Sequence, residues 1–125
     1  MDPGQIPILR IGTNLLATIQ TELRDTSAQA LQRDILEAIE RLKTRGLVLD
    51  ITALDTVDTF VARILTETGR MAALMGTRTV LVGMRPEVAA TLVRMGFNMK
   101  GVHTALNIEE GLVLLALPPG SGTHR

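Results

Sequence analysis

Asp58 and Thr59 stand side by side within the run Gly46 to Leu65, GLVLDITALDTVDTFVARIL. An apolar strand-like stretch leads through a polar turn into a helical pattern that opens at these two residues. A helix N-terminus exposes unpaired N–H groups and a partial positive charge, so an acid and a hydroxyl there can manage negative charge. The plainest role of Asp58 is an N-cap, contributing about 1 kcal/mol. A phosphate on Thr59 would add roughly 1.5 to 2 negative charges at the same point. The helix dipole would tolerate that charge, whereas Asp55, Asp58 and an acidic partner surface would repel it. The fold should then survive while a docked partner is expelled.

Other residues capable of chemistry are sparse. Of two histidines, His124 falls near the C-terminus and His103 in a short strand-like run with no partner visible in the sequence. Cysteine is absent, which removes thiol nucleophiles, disulfides and cysteine-based metal sites. Asp50, Asp55 and Asp58 could in principle hold Mg²⁺, but Asp55 and Asp58 serve more simply as turn and cap residues. No GxxxxGK[ST], GxGxxG or GxSxG run occurs. A small hydrolase using Asp50 or Asp58 would need a second polar cluster converging on a pocket, and nucleotide binding at this turn would need glycines near the phosphate. Neither is visible. The expectation is therefore no enzyme, no catalytic residues, no cofactor and no metal.

The elements that must position Asp58 and Thr59 follow from periodicity. Pro7 to Ile11 and Leu15 to Ile19 are β-type runs flanking Gly12-Thr13-Asn14, which predicts a hairpin. Thr26 is placed to cap a first helix, with Gln29 completing a capping box. Ala28, Leu31, Ile35, Ile39 and Leu42 then recur at helical spacing, and Arg45-Gly46 is the expected stop. Leu47 to Ile51 is a strand of the kind covered on both faces. Val61, Ile64, Leu65, Thr68, Ala72 and Met75 give the second helix its inner stripe, and Gly76 ends it.

Thr79 to Val82 reads as another buried strand. Pro86 opens a third helix at its first position, with Val88, Ala89, Leu92 and Val93 as its apolar face and Gly96 as its stop. Val102 to Ala105 is a last strand. Asn107 and Glu110 form a capping pair for a final helix carrying Leu112 and Leu115. The fold class expected is α/β in the order ββαβαβαβα, a small mixed and mostly parallel sheet with helices packed against it, because strands separated by helices run parallel through right-handed crossovers. Residues 1–117 are expected to form one domain and 118–125 a loose tail. The methionines are expected to be mainly core filling, a few of them lining a protein interface.

Composition narrows the partners. Thirteen basic residues balance thirteen acidic ones across 125 residues. No strong field exists to hold nucleic acid or an anionic membrane, and near-zero charge does little to oppose self-association. Two phenylalanines, with no tryptophan or tyrosine, leave little for stacking on bases. The N-terminus lacks a signal-peptide pattern and no apolar stretch is long enough to span a bilayer, so the expectation is a cytoplasmic protein.

Three stretches, IPILRIGTNLLATIQTEL, LVLDITALDTVDTFVARIL and MAALMGTRTVLVGMRPEVAATLVRMGFNM, together resemble the STAS domain of anti-sigma-factor antagonists, and within that family the small stressosome proteins of the RsbS type. The likeness continues through TALNIEEGL. It rests on Asp58-hydroxyl-Phe60, on Leu74-Met75-Gly76 and on the Gly83-x-x-Pro86-x-Val88-Ala89-x-Thr91-Leu92 run in combination. The resemblance implies a STAS fold and a non-enzymatic scaffold that assembles with RsbR-like paralogues and sequesters an RsbT-like serine/threonine kinase until phosphorylated. The hydroxyl after the acid falls here on Thr59, where RsbS proteins usually carry serine, and Thr56 is a second candidate. The expected binding surface comprises Asp55, Thr56, Asp58, Thr59, Arg63 and Glu67. Anti-anti-sigma factors that bind an anti-sigma kinase directly are the alternative, although they usually carry Asp-Ser-Ser/Thr-Gly at this turn.

Overall fold

A computed structural model describes residues 6–20, 24–96 and 101–118. Nine elements follow in order: β1 (Ile8–Ile11), β2 (Asn14–Thr18), α1 (Asp25–Leu42), β3 (Gly46–Asp50), α2 (Thr59–Leu74), β4 (Arg78–Val82), α3 (Pro86–Arg94), β5 (Val102–Ala105) and α4 (Ile108–Ala116). They form one five-stranded sheet in the order β1-β2-β3-β4-β5. β1 and β2 pair antiparallel, and each later neighbour pairs parallel. The expected ββαβαβαβα order and mostly parallel sheet are therefore present.

The strands divide the apolar residues between two faces, as a period of two requires. Leu15, Ala17, Leu47, Leu49 and Leu81 point to one side, where they meet Ile35 and Ile39 of α1, Val61 and Leu65 of α2, and Val88 and Leu92 of α3. Val48, Val80 and Val82 point to the other side, against Ile108, Leu112 and Leu115 of α4. Consecutive right-handed crossovers between neighbouring strands place α1, α2 and α3 on the same face. α4 follows the last strand and is free to fold back over the opposite one. β3 is thus buried on both sides, its Leu47, Val48 and Leu49 each 0% exposed.

Several local details differ from the sequence reading. The hairpin turn is Gly12-Thr13 alone, because Asn14 already pairs with Ile11 at the start of β2. α1 begins at Asp25 rather than behind a Thr26 cap: the Ala28 N–H bonds the Arg24 carbonyl at 2.7 Å, so the chain is already helical there. Asp25 in that first turn complements the helix dipole. α1 stops at Lys43, which takes a left-handed conformation with φ 54°. Gly46 is not the stop but the first residue of β3, where a Cβ would collide with Asn14 and Leu115.

Two residues assigned to inner stripes face outward. Met75 lies past the end of α2 and is 43% exposed, and Val93 is 75% exposed because α3 buries only Val88 and Leu92. Pro86 does open α3, and the Asn107 side chain does cap α4, accepting from the Glu110 N–H at 2.8 Å. His103 is half-buried in β5. Met99, His124 and most of the expected tail lie outside the described residues.

Candidate functional site

β3 ends at Asp50, and residues 51–58 carry the chain to α2 at the C-terminal edge of the sheet. This connection is pinned from below by Ile51, Leu54 and Val57, all buried, while Thr52, Asp55, Thr56 and Asp58 between them are exposed. The Asp50 carboxylate accepts from both the N–H and the hydroxyl of Thr52, at 3.0 and 2.6 Å. The Leu54 N–H closes the turn on the Ile51 carbonyl at 2.9 Å. Short bonds of this kind hold the backbone in a conformation that neither helix nor sheet would impose.

A second loop braces the first. Gly83, just after β4, has φ 78°, and the Thr52 side chain occupies the space that a Cβ there would need. Arg85 then donates from Nε to the Thr52 carbonyl at 2.8 Å. The loops following β3 and β4 are thereby tied into one surface.

α2 starts on that surface. Asp58 is extended, and its Oδ1 accepts from the Val61 N–H at 2.8 Å, the expected cap. Thr59 is the first helical residue and is exposed. Its hydroxyl donates to the Met95 sulfur at 3.6 Å. A thioether is a weak acceptor, so this contact orients the hydroxyl without sequestering it. The hydroxyl lies at the positive end of the helix dipole.

The six residues expected at the binding surface are all exposed. Asp55, Thr56, Asp58 and Thr59 share the loop rim, and Arg63 and Glu67 continue it along the outer face of α2. Arg63 and Glu67 do not join in an ion pair: among the described residues the one pair within 4.0 Å is Arg33–Asp34, at 3.9 Å. Arg preceding Glu is the less favourable order for such a helical pair. Asp50 belongs to the Thr52 turn and Asp58 to the cap, so each carboxylate is engaged locally. Among the described residues, no group of three or more His, Cys, Asp or Glu is placed to hold a metal ion.

Three residues of the site were not anticipated. Thr52 had a legible signal, since an acid two residues before a hydroxyl favours this kind of turn. Arg85 and Met95 had none, because their partners lie 33 and 36 residues away in the chain.

Comparison with known proteins identifies the architecture. The model of the STAS domain family matches residues 5–111. The RsbT co-antagonist protein RsbRA of Bacillus subtilis is 30% identical over 98 residues, covering 78% of this chain and 34% of that protein. The co-antagonist RsbRD of the same organism is 32% identical over 91 residues, covering 73% and 33%. The chain thus spans about a third of the length of these relatives.

Among solved structures, a serine-to-glutamate variant of RsbS from Moorella thermoacetica superposes with a TM-score of 0.78 at 41% identity, over 88% of this chain and 93% of that one. A chain from the stressosome, described as a signal integration and transduction hub, gives 0.76 at 41% identity, over 87% and 95%. The phosphorylated form of the Bacillus cell-fate determinant SpoIIAA shares the fold, with a TM-score of 0.64 at 15% identity over 88% of this chain and 98% of that one. With a family match over most of its length and 41% identity to RsbS over 88% of it, the chain belongs to the STAS-domain family and is similar to its RsbS- and RsbR-type members.

Proposed function

We propose that the chain is a non-enzymatic stressosome scaffold and antagonist that sequesters an RsbT-like serine/threonine kinase and releases it when phosphorylated on Thr59. The observation that carries this reading is the exposed Thr59 hydroxyl at the first position of α2, beside a capping Asp58 and on a rim braced from two loops. Phosphoryl transfer would form a bond from Thr59 Oγ to the γ-phosphorus of ATP, release ADP and pass the hydroxyl proton to the kinase. The fold need not change, because the helix N-terminus accommodates anionic charge. The surface does change. Two acids already flank the position, and added charge repels an acidic docking face by several charges at short range. Arg63, one turn further along α2, shares this face and can offset part of the new charge.

RsbR-like STAS paralogues would complete the assembly, a partnership supported by the 41% identity to a stressosome chain and by the co-antagonist relatives. A cytoplasmic setting accords with this role. Among the described residues no helix is long and apolar enough to cross a membrane. The second reading, an anti-anti-sigma factor that binds an anti-sigma kinase directly, draws on the shared SpoIIAA fold.

The test mixes the protein with an RsbT-like kinase from the same genome and ATP, then maps phosphate by mass spectrometry. Phosphate on Thr59 is expected. Modification confined to Thr56, or none under conditions that modify a paralogue, would remove the assignment. Capture by an anti-sigma kinase in place of the RsbT-like one would favour the second reading.

A further inference from the structure

The methionines differ in what their sulfurs touch. Met71, Met75 and Met95 are 41%, 43% and 39% exposed, so a dissolved oxidant reaches all three to a similar degree. Met84 packs partly buried against the core. Among the described residues only the Met95 sulfur accepts a hydrogen bond, from the Thr59 hydroxyl at 3.6 Å.

Core filling does not account for Met95. It lies one residue past the end of α3. Its own N–H bonds the Thr91 carbonyl and the Gly96 N–H bonds the Val93 carbonyl, each at 3.0 Å, so the backbone there is fixed. The side chain reaches back to the first residue of α2, 36 residues earlier in the chain. A thioether is a weak acceptor, and in this form it leaves the hydroxyl available for reaction.

We infer that Met95 is an oxidation site whose sulfoxide withholds the Thr59 hydroxyl from phosphorylation. The inference rests on Thr59 being the phosphoacceptor. The oxidant is a hydroperoxide. A sulfur lone pair attacks its terminal oxygen, the O–O bond breaks and an S–O bond forms. The proton on the transferred oxygen passes to the departing one, which leaves as water or an alcohol. Sulfur gives up two electrons and the peroxide gains them. A pair of thiols reverses the step, taking the oxygen off as water and joining as a disulfide, the chemistry of sulfoxide reduction.

Oxidation changes the group that faces Thr59. The sulfoxide is polar where the thioether was not, and its oxygen accepts a hydrogen bond far better than sulfur does. That oxygen projects from the sulfur into a separation of 3.6 Å, and a hydroxyl bonds another oxygen at about 2.7–2.8 Å. Phosphoryl transfer needs the hydroxyl oxygen in line with the γ-phosphorus and its proton directed to a base on the kinase. A hydroxyl bound to the sulfoxide must give up that bond first. Met71 and Met75 oxidise as readily, but among the described residues no hydroxyl bonds their sulfurs, so their oxidation leaves Thr59 untouched.

The test treats the full chain with hydrogen peroxide, removes the peroxide, and follows phosphate on Thr59 with an RsbT-like kinase and ATP. Peptide mass spectrometry reports the sulfoxide at each methionine. Phosphorylation of the wild type is expected to slow about fivefold or more, the effect of one ordinary hydrogen bond, and to recover after a methionine sulfoxide reductase with dithiol. Met95→Leu keeps the other methionines and should show the same rate before and after peroxide. An unchanged rate in wild type with Met95 converted, or an equal loss in Met95→Leu, overturns the inference. Absence of phosphate from Thr59 in the unoxidised protein would instead remove the phosphoacceptor reading, and the gating with it. A second arm needs no kinase. A donated hydrogen bond draws electron density from sulfur, so Thr59→Val should speed peroxide oxidation of Met95 relative to Met71. An unchanged ratio of the two rates would deny the coupling between Thr59 and Met95.

Discussion

The Thr59 hydroxyl lies 3.6 Å from the Met95 sulfur, joining the first residue of α2 to the residue that closes α3. The contact crosses between two helices that share one face of the sheet. Any group added to the hydroxyl must break it. A modification of Thr59 would therefore be felt at the far end of α3.

This gives the first prediction. Thr59→Asp should weaken kinase capture while the melting temperature stays within a few degrees, because an acid at the first helical position is compatible with the dipole. The Met95 methyl resonance should shift in the same variant, with the Met71 methyl unchanged. Equal capture by wild type and Thr59→Asp would count against electrostatic expulsion, whatever the methyl signal does.

Asp58 should separate capping from signalling. Asp58→Ala removes the acceptor of the Val61 N–H and is expected to cost about 1 kcal/mol in urea unfolding. Asp58→Asn keeps the cap and should cost only about a few tenths of that, yet it removes one of the acids that would repel a phosphate. Phosphorylated Asp58→Asn should accordingly retain more kinase than phosphorylated wild type. Identical release from both would assign the repulsion to the partner's charges alone.

The bracing of the two loops makes a third prediction. Gly83→Ala forces a side chain into a left-handed backbone position, which costs about 1–2 kcal/mol, and also displaces Thr52. A loss of about 2 kcal/mol or more is expected. Arg85→Ala removes only the bond to the Thr52 carbonyl. Its global stability should fall by less than about 1.5 kcal/mol, while amide exchange across residues 52–58 accelerates. Unchanged exchange there would show that the buried Ile51, Leu54 and Val57 hold the rim unaided.

Burial sets the contrast for the fourth. Leu49 is 0% exposed at the centre of the sheet, and Leu74 is 90% exposed at the end of α2. Leu49→Ala should cost about 2–5 kcal/mol, and Leu74→Ala should stay within about 0.5 kcal/mol. Both are leucines on regular elements, so denaturant unfolding of the pair isolates environment from residue type. A sizeable loss from Leu74→Ala would reveal a packing partner for that side chain.

What the sequence determined alone is whatever depends on near neighbours. The Asp58 cap, the Pro86 start and the Asn107 cap each join groups a few residues apart, and the alternation or helical recurrence of apolar residues marks the core face of most elements. The resemblance carried by three stretches added the STAS fold, which the comparisons bear out. Local rules failed where tertiary packing overrode them. Gly46 resembled a helix stop but is needed where a strand, Asn14 and Leu115 crowd together, and Val93 and Met75 fit the helical period but meet no opposing layer among the described residues.

Only the tertiary structure decided which groups surround Thr59 and its loop. Arg85 and Met95 reach Thr52 and Thr59 because parallel crossovers return successive loops to the same edge of the sheet. It likewise decided that α4 would pack over β3, β4 and β5. Side chains far apart in the chain meet through topology, and no pattern of near neighbours encodes the meeting.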